Sequence, residues 1–162
     1  MICSNKKYLV AVLNSSVLRF YLHGIAAGLQ GDSYNFSAIY VELMPIPPLP
    51  VPDQKPYEAL VDCIQFGHAH DLDFEARRLE AVIDVMVYGL YFEEEMRAEG
   101  CYINERVTEV VKPFTDEDTD DFKASYVQKP EKFCGSDKII YSCLIHSRTV
   151  DSVKVVLGGR EK

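Results

Sequence analysis

The sequence predicts a mainly helical α+β protein, and three patterns along its 162 residues indicate this fold class. Apolar residues recur at spacings of three and four near the start of the chain and again beyond the first third. A segment with alternating prolines, residues 44–52, separates these two helical regions. Two segments near the end are rich in β-branched residues. The expected architecture is therefore a helix pair, a proline-rich strap, a long antiparallel helical hairpin and a C-terminal β-hairpin.

The first helical region predicts two short helices with a tight joint. Leu9, Val12 and Leu13 share one helical face, and a similar pattern resumes after residues 14–16. These three residues, Asn-Ser-Ser, have side chains that suit the N-cap position of a helix. Glycine and small polar residues then cluster at residues 29–36, which predicts a turn or exposed loop.

The proline-rich segment cannot be a helix or a fully paired strand. Residues 44–52 contain five prolines, and proline lacks an amide hydrogen and fixes the backbone angle φ. The segment is therefore expected to run extended. One interpretation is a ligand for a proline-recognition domain. The favoured interpretation is a strap that lies across the protein's own apolar surface, because Ile46, Leu49 and Val51 favour burial of one side.

The clearest helical pattern follows this strap. Apolar residues mark one helix at positions 57–64, and at positions 79–90 they recur at i, i+3, i+4 and i+7. The two helices are expected to form an antiparallel hairpin. Its corner is predicted at residues 67–71, with Asp71 or Asp73 as the cap of the second helix.

Beyond residue 100 the patterns are weaker. They predict a helix that ends near Pro113 and an acidic connector over residues 114–122. The β-branched segments 138–146 and 149–159 predict two strands that turn around Arg148. Because an isolated hairpin is only marginally stable, this one is expected to pack on other elements.

Two units are expected along the chain. Residues 1–99 hold the helix pair, the strap and the helical hairpin, and residues 100–162 form an extension with a helix, the acidic loop and the β-hairpin.

Charge and cysteine content limit the classes of function. The formal net charge of -8 argues against a protein that coats nucleic acid by bulk electrostatics, because such binding needs clustered lysine and arginine. The five cysteines are far apart and contain no CxxC pair, so they indicate neither a zinc site nor a disulfide framework. No apolar run approaches the ~20 residues that span a bilayer. A cytoplasmic protein without a membrane partner is expected.

A metal site at the hairpin corner is one hypothesis. His68 and His70 lie close to Asp71 and Asp73, and imidazole and carboxylate groups bind divalent ions. An H-x-H pair at a helix corner is more often a solvated turn, which is the favoured interpretation. No metal ligand is therefore assigned.

The acidic connector allows two further hypotheses, and both are disfavoured. Asp116, Asp118 and Asp120 match the first positions of a calcium loop, but Val127 stands where a bidentate glutamate is needed. The sequence Asp121-Phe122-Lys123 matches the D-x-K end of a magnesium-dependent nuclease site, but it is short and common. No nucleotide-binding or serine hydrolase motif occurs in the sequence, and no catalytic residue is assigned.

Three segments in order carry a family resemblance: YLVAVLNSSVLRFYL, then LQGDSYNFSAIYVELMPIPPLP, then RRLEAVIDVMVYGLYFEEE. Together they resemble the C-terminal part of the target recognition domain of Type IIG restriction enzymes and adenine-specific DNA methyltransferases. The layout is also similar to that of the specificity subunits of Type I restriction systems. The resemblance covers residues 8–95.

The resemblance implies a DNA target recognition module within a larger restriction-modification enzyme. In that family, methyl transfer from S-adenosylmethionine to adenine takes place in an upstream domain. The N-P-P-[YFW] motif and the glycine-rich cofactor motif of that domain do not occur in this sequence. The chain is therefore expected to be catalytically silent alone and to bind no cofactor itself. Its expected partners are double-stranded DNA and the upstream methyltransferase domain, and self-association remains open.

Recognition of duplex DNA needs donors that reach phosphates and base edges. The cations, amides and hydroxyl groups near the predicted loop are the candidates for DNA contact. They are Lys6, Lys7, Arg19, Gln30, Ser33, Tyr34 and Asn35. The alternative hypothesis is a helical protein-protein interaction module of a larger assembly that makes no direct contact with DNA.

Overall fold

A computed structural model describes residues 7–26, 42–128 and 137–158 of the chain. The protein is mainly helical in these ranges, which confirms the main part of the predicted fold class, and they contain no β-strand. The helices are α1 (Lys7–Leu13), α2 (Ser16–Ala26), α3 (Val51–Ala69), α4 (Asp73–Tyr91), α5 (Glu93–Ala98), α6 (Asn104–Val110), α7 (Asp120–Gln128), α8 (Lys138–His146) and α9 (Asp151–Gly158), with a short 3-10 turn (Ser147–Thr149) between α8 and α9.

The predicted helix pair and its joint are confirmed by α1 and α2. Ser15 is the N-cap residue of α2, because its carbonyl accepts from Arg19 N at 3.1 Å and its hydroxyl accepts from Leu18 N at 3.4 Å. The same hydroxyl donates to the carbonyl of Val12 at 2.6 Å. One buried serine therefore satisfies backbone groups of both helices and fixes the angle of the joint. The loop predicted at residues 29–36 lies outside the described residues.

The antiparallel helical hairpin is also confirmed. Helices α3 and α4 have 19 residues each. Gly67 faces Ala76 near the corner, while Tyr57 donates to the carbonyl of Met86 at 3.4 Å towards the other end. These two contacts join residues that approach each other in antiparallel order, so the helices pack along most of their length.

The boundaries of the hairpin differ from the prediction at both ends. Helix α3 begins at Val51, so the extended strap ends at Pro50. Pro52 is accommodated because amides in the first turn have no helical partner. At the corner, Leu72 is the N-cap residue and makes no side-chain cap. The predicted cap by Asp71 or Asp73 is wrong: Asp71 has a positive φ of 59°, and Asp73 contacts His68 instead.

The proline-rich strap lies on the protein's own surface, as the favoured interpretation predicted. Tyr8 donates to the carbonyl of Pro47 at 2.7 Å, and Tyr91 donates to the carbonyl of Pro45 at 2.7 Å. Ile46 and Leu49 pack against the core, whereas Val51 is exposed. The strap therefore closes the end of the hairpin against α1.

The predicted C-terminal β-hairpin is wrong, because both segments are helices. In α8, Ile140 and Cys143 are buried three positions apart, and in α9 the same holds for Val153 and Val156. Asp137 caps α8 by accepting from the amides of Ile139 and Ile140 at 3.0 and 3.3 Å. This cap and the burial of one helical face outweigh the intrinsic β propensity of the branched residues.

A single hydrophobic cluster runs from Tyr8 in α1 to Val156 in α9. The C-terminal helices are attached to it at defined points, since Ser152 in α9 donates to Glu95 through its amide at 3.2 Å and its hydroxyl at 2.6 Å. The division at residue 99 stays a prediction. Of the helices in residues 7–26, 42–128 and 137–158, none is long and apolar enough to cross a lipid bilayer.

Candidate functional site

An open groove of about 560 Å³ lies where the helix pair meets the helical hairpin. Three exposed arginines line it, and each comes from a different segment of the chain: Arg19 from α2, Arg77 from α4 and Arg148 from the turn between α8 and α9. We call this feature the arginine groove. Its apolar floor includes Ala11 and Ile83 from the core. The fold thus brings to one groove three arginines that are far apart in sequence.

The arginines of the groove have donors available for a ligand. In the part of the chain that the structure describes, Arg19, Arg77 and Arg148 form no hydrogen bond, ion pair or ring contact. A guanidinium group carries five N–H donors and stays charged at all physiological pH values. Five other cations are engaged by carboxylates, namely Lys7, Arg97, Arg106, Lys123 and Lys154. Among the described residues, Lys55, Arg78, Lys112 and Lys138 also form no ion pair, but they do not line this groove.

Two carboxylates also line the groove, and both are bound to groups other than its arginines. Asp84 accepts from the amide of Ser16 at 2.8 Å and from the Ser16 hydroxyl, so it neutralises the N-terminus of α2. Glu80 lies 3.0 Å from Nε2 of His68, whose other ring nitrogen is 2.5 Å from Asp73. Hydrogen bonds to Glu80 and then to Asp73 raise the pKa of His68. The groove therefore retains an excess of positive charge.

The structure places two of the predicted DNA-contact residues. Arg19 lies in the arginine groove. Lys7 is held by Asp62, with Nζ and Oδ1 2.5 Å apart, so part of its charge is already neutralised. The other predicted contacts lie outside the described residues; they are Lys6, Gln30, Ser33, Tyr34 and Asn35.

Sequence reasoning missed two members of the groove. Arg77 stands among charged residues of both signs in the sequence, a pattern typical of the solvated side of a helix. Arg148 was assigned to the turn of a β-hairpin that does not form. Nothing in the local spacing of either residue indicates that it meets Arg19, since their proximity depends on how α2, α4 and the C-terminal helices pack.

The disfavoured metal and nuclease hypotheses gain no support from the geometry. His70 stacks on Phe66 with ring centroids 3.9 Å apart. Asp118 accepts from the amide and hydroxyl of Thr115 at 2.7 and 2.9 Å, and Lys123 lies over the ring of Phe114. In residues 7–26, 42–128 and 137–158, no group of three or more histidine, cysteine or acidic side chains is placed to hold a metal ion.

Comparisons with known proteins add no relative: no protein-family model matches the chain, and neither a curated protein nor a solved structure matches it.

Proposed function

We propose that this chain is the C-terminal part of a DNA target recognition module of a restriction-modification adenine-specific methyltransferase, and that its arginine groove contacts the duplex backbone. One observation carries the proposal: Arg19, a predicted DNA contact, is exposed without an acidic partner in the described part of the chain and lines the same groove as Arg77. The choice of this enzyme family rests on the resemblance of residues 8–95 to its target recognition domains. S-adenosylmethionine would bind in the upstream domain, so the chain alone is catalytically silent.

Phosphate contacts fix a protein on duplex DNA, while contacts to base edges select the sequence. Arginine suits the first role because its planar fork can make two hydrogen bonds to one phosphate. The whole chain carries a net charge of -8, which opposes association with DNA. The isolated chain is therefore expected to bind weakly and only at low salt, with the upstream domain supplying the remaining affinity.

A titration of duplex DNA tests this proposal. Fluorescence anisotropy with a labelled 20-base-pair duplex at several low salt concentrations gives the dissociation constant and its salt dependence. Each phosphate contact adds about 0.9 to the slope of log K against log salt, so Arg19→Gln should lower the slope by about 1 and weaken binding. Arg97→Gln is the matched control: it removes the same charge from a residue paired with Glu93 and Glu105. If the dissociation constant depends neither on salt concentration nor on the Arg19→Gln substitution, the proposal is wrong.

A helical interaction module remains a second candidate, and the outer faces of the C-terminal helices favour it. Ile145 of α8 is 61% exposed and Val155 of α9 is 62% exposed. A contiguous patch of exposed apolar residues is typical of a surface that binds a protein partner. Sedimentation at increasing protein concentration, with Ile145→Glu as the variant, tests self-association. Association that survives high salt and disappears in the variant would favour this candidate.

A further inference from the structure

One member of the arginine groove lies outside the segment that resembles restriction enzymes. The resemblance ends at residue 95, whereas Arg148 belongs to the turn Ser147–Thr149 in the C-terminal extension. The extension therefore does more than cover the helical hairpin. It brings a third arginine to a groove whose other arginines come from α2 and α4.

The backbone that carries Arg148 is well defined by its neighbours. Ser147, the first residue of the turn, and Val150, which follows the turn, are almost fully buried, and Val150 N donates to the carbonyl of Ser147 at 3.1 Å. The Thr149 hydroxyl donates to the carbonyl of His146 at 2.7 Å. Because both sides of the turn are fixed, the exposed Arg148 side chain projects from a constant position.

The two helices beside the turn are anchored independently. In α8, the Asp137 carboxylate binds Arg106 as well as the first amides of the helix, and the Cys143 thiol lies 3.4 Å from the carbonyl of Gly100. In α9, Ser152 binds Glu95. Helix α9 also packs on α2, the helix that carries Arg19. The backbone positions of Arg19 and Arg148 relative to each other are therefore set by helix packing.

We infer that Arg148 is a third phosphate-binding residue of the arginine groove, and that the C-terminal helices form one wall of this site. Three guanidinium groups around a groove suit a phosphate group, which has several acceptor oxygens in different directions. Glu80 and Asp84 are held by His68 and Ser16, so they do not consume these donors. The identification of the phosphate with DNA rests on the proposed function; a small phosphorylated molecule offers the same chemistry.

The experiment uses the full chain and two probes. The Nε–Hε signals of its arginines are followed by NMR during titration with a 20-base-pair duplex and, separately, with inorganic phosphate. Arg148→Gln should weaken duplex binding about 3- to 10-fold and lower the salt slope by about 1. Lys154→Gln is the matched control, because it removes one positive charge from the same extension at a residue paired with Asp151. It should leave the Arg148 signal and the affinity nearly unchanged.

The outcomes separate this inference from the proposed function. If the duplex binds wild type and Arg148→Gln equally, the inference is overturned and the DNA proposal stands. If the duplex does not bind but inorganic phosphate shifts the signals of Arg148 and of Arg19 and Arg77, and Arg148→Gln weakens the response of Arg19 and Arg77, the inference stands and the ligand is a small phosphorylated molecule. If neither probe moves the Arg148 signal, the inference is wrong. Because Arg148 is exposed, unchanged circular dichroism is expected for the variant.

Discussion

The hydroxyl of Tyr91 donates a 2.7 Å hydrogen bond to the carbonyl oxygen of Pro45, which fastens the proline-rich strap to the second helix of the hairpin. Tyr8 makes the equivalent bond to Pro47 from α1. Proline residues cannot donate to a neighbouring strand, so a proline-rich segment has few amide donors with which to pair. Tyrosines from two different helices instead supply donors to the carbonyls of the strap and hold it in one register.

Replacing these tyrosines should weaken the attachment of the strap. Tyr91→Phe and Tyr8→Phe each remove one hydroxyl and keep the ring, so each should lower the free energy of unfolding by about 0.5–1.5 kcal/mol, the usual net contribution of a hydrogen bond. Urea unfolding measures this change. Tyr141→Phe is the matched control because Tyr141 is exposed on α8. A loss of equal size in the control would contradict the assigned role.

The same tyrosines predict a loss of stability in strong alkali. Burial raises the pKa of Tyr8 and that of Tyr91 to about 12, from 10.0 in an unfolded chain. Because the folded state binds these protons more tightly than the unfolded state, the two protonated hydroxyls contribute to the free energy of unfolding. This contribution is fully present below pH 10 and is lost as pH rises from 10 towards 12. The free energy of unfolding measured between pH 8 and pH 12 should fall in that window, and the double Tyr→Phe variant should show a shallower fall. An identical fall in the variant would assign the effect to other groups.

Hydrophobic periodicity predicted the helical hairpin because its residues are buried by a partner helix along one continuous face. The same reasoning failed in the C-terminal extension, where Val153 and Val156 have helical spacing but belong to a residue type that favours strands. At the candidate site, the chemistry of Arg19 was visible in the sequence. Its neighbours Arg77 and Arg148 were not, because the packing of three distant segments brings them together.

Close packing of the hairpin predicts opposite effects for two Gly→Ala substitutions. A Cβ at Gly67 would lie 3.1 Å from the Ala76 side chain and 3.4 Å from a backbone oxygen. Overpacking of this kind costs about 1–3 kcal/mol, which exceeds the gain of up to about 1 kcal/mol from replacing a helical glycine. Among the described residues, a Cβ at Gly24 in α2 would meet no atom within 4 Å. Gly67→Ala should therefore destabilise the protein, and Gly24→Ala should stabilise it.

Thermal unfolding of the two alanine variants compares these effects directly. Each variant adds one methyl group inside a helix, so the intrinsic helix term is similar in both. A lower melting temperature for Gly67→Ala and a higher one for Gly24→Ala are expected. If both variants are stabilised, helices α3 and α4 must be able to move apart near the corner of the hairpin with little loss of free energy.

The cap of α8 predicts that the C-terminal helices loosen when Asp137 is changed. Burial alone would raise the pKa of Asp137, but its bonds to Arg106 and to the amides of Ile140 and Ile139 outweigh burial and lower the pKa below 3.8. The charged carboxylate therefore stabilises the fold above about pH 4, and this contribution is lost as pH falls through the lowered pKa. Asp137→Ala should cost about 1 kcal/mol, typical of a lost N-cap.

Hydrogen exchange resolved by segment measures where this loss occurs. Asp137→Ala should speed amide exchange in α8 and in the turn that carries Arg148, while α3 and α4 retain their protection. Asp151→Ala is the matched control, because its carboxylate is exposed and binds only Lys154 among the described residues. If faster exchange in α8 is accompanied by weaker binding of phosphate to Arg148, the N-cap of α8 helps to hold Arg148 in position in the arginine groove. Unchanged exchange in α8 would mean that burial of Ile140 and Cys143 suffices to hold the helix without its cap.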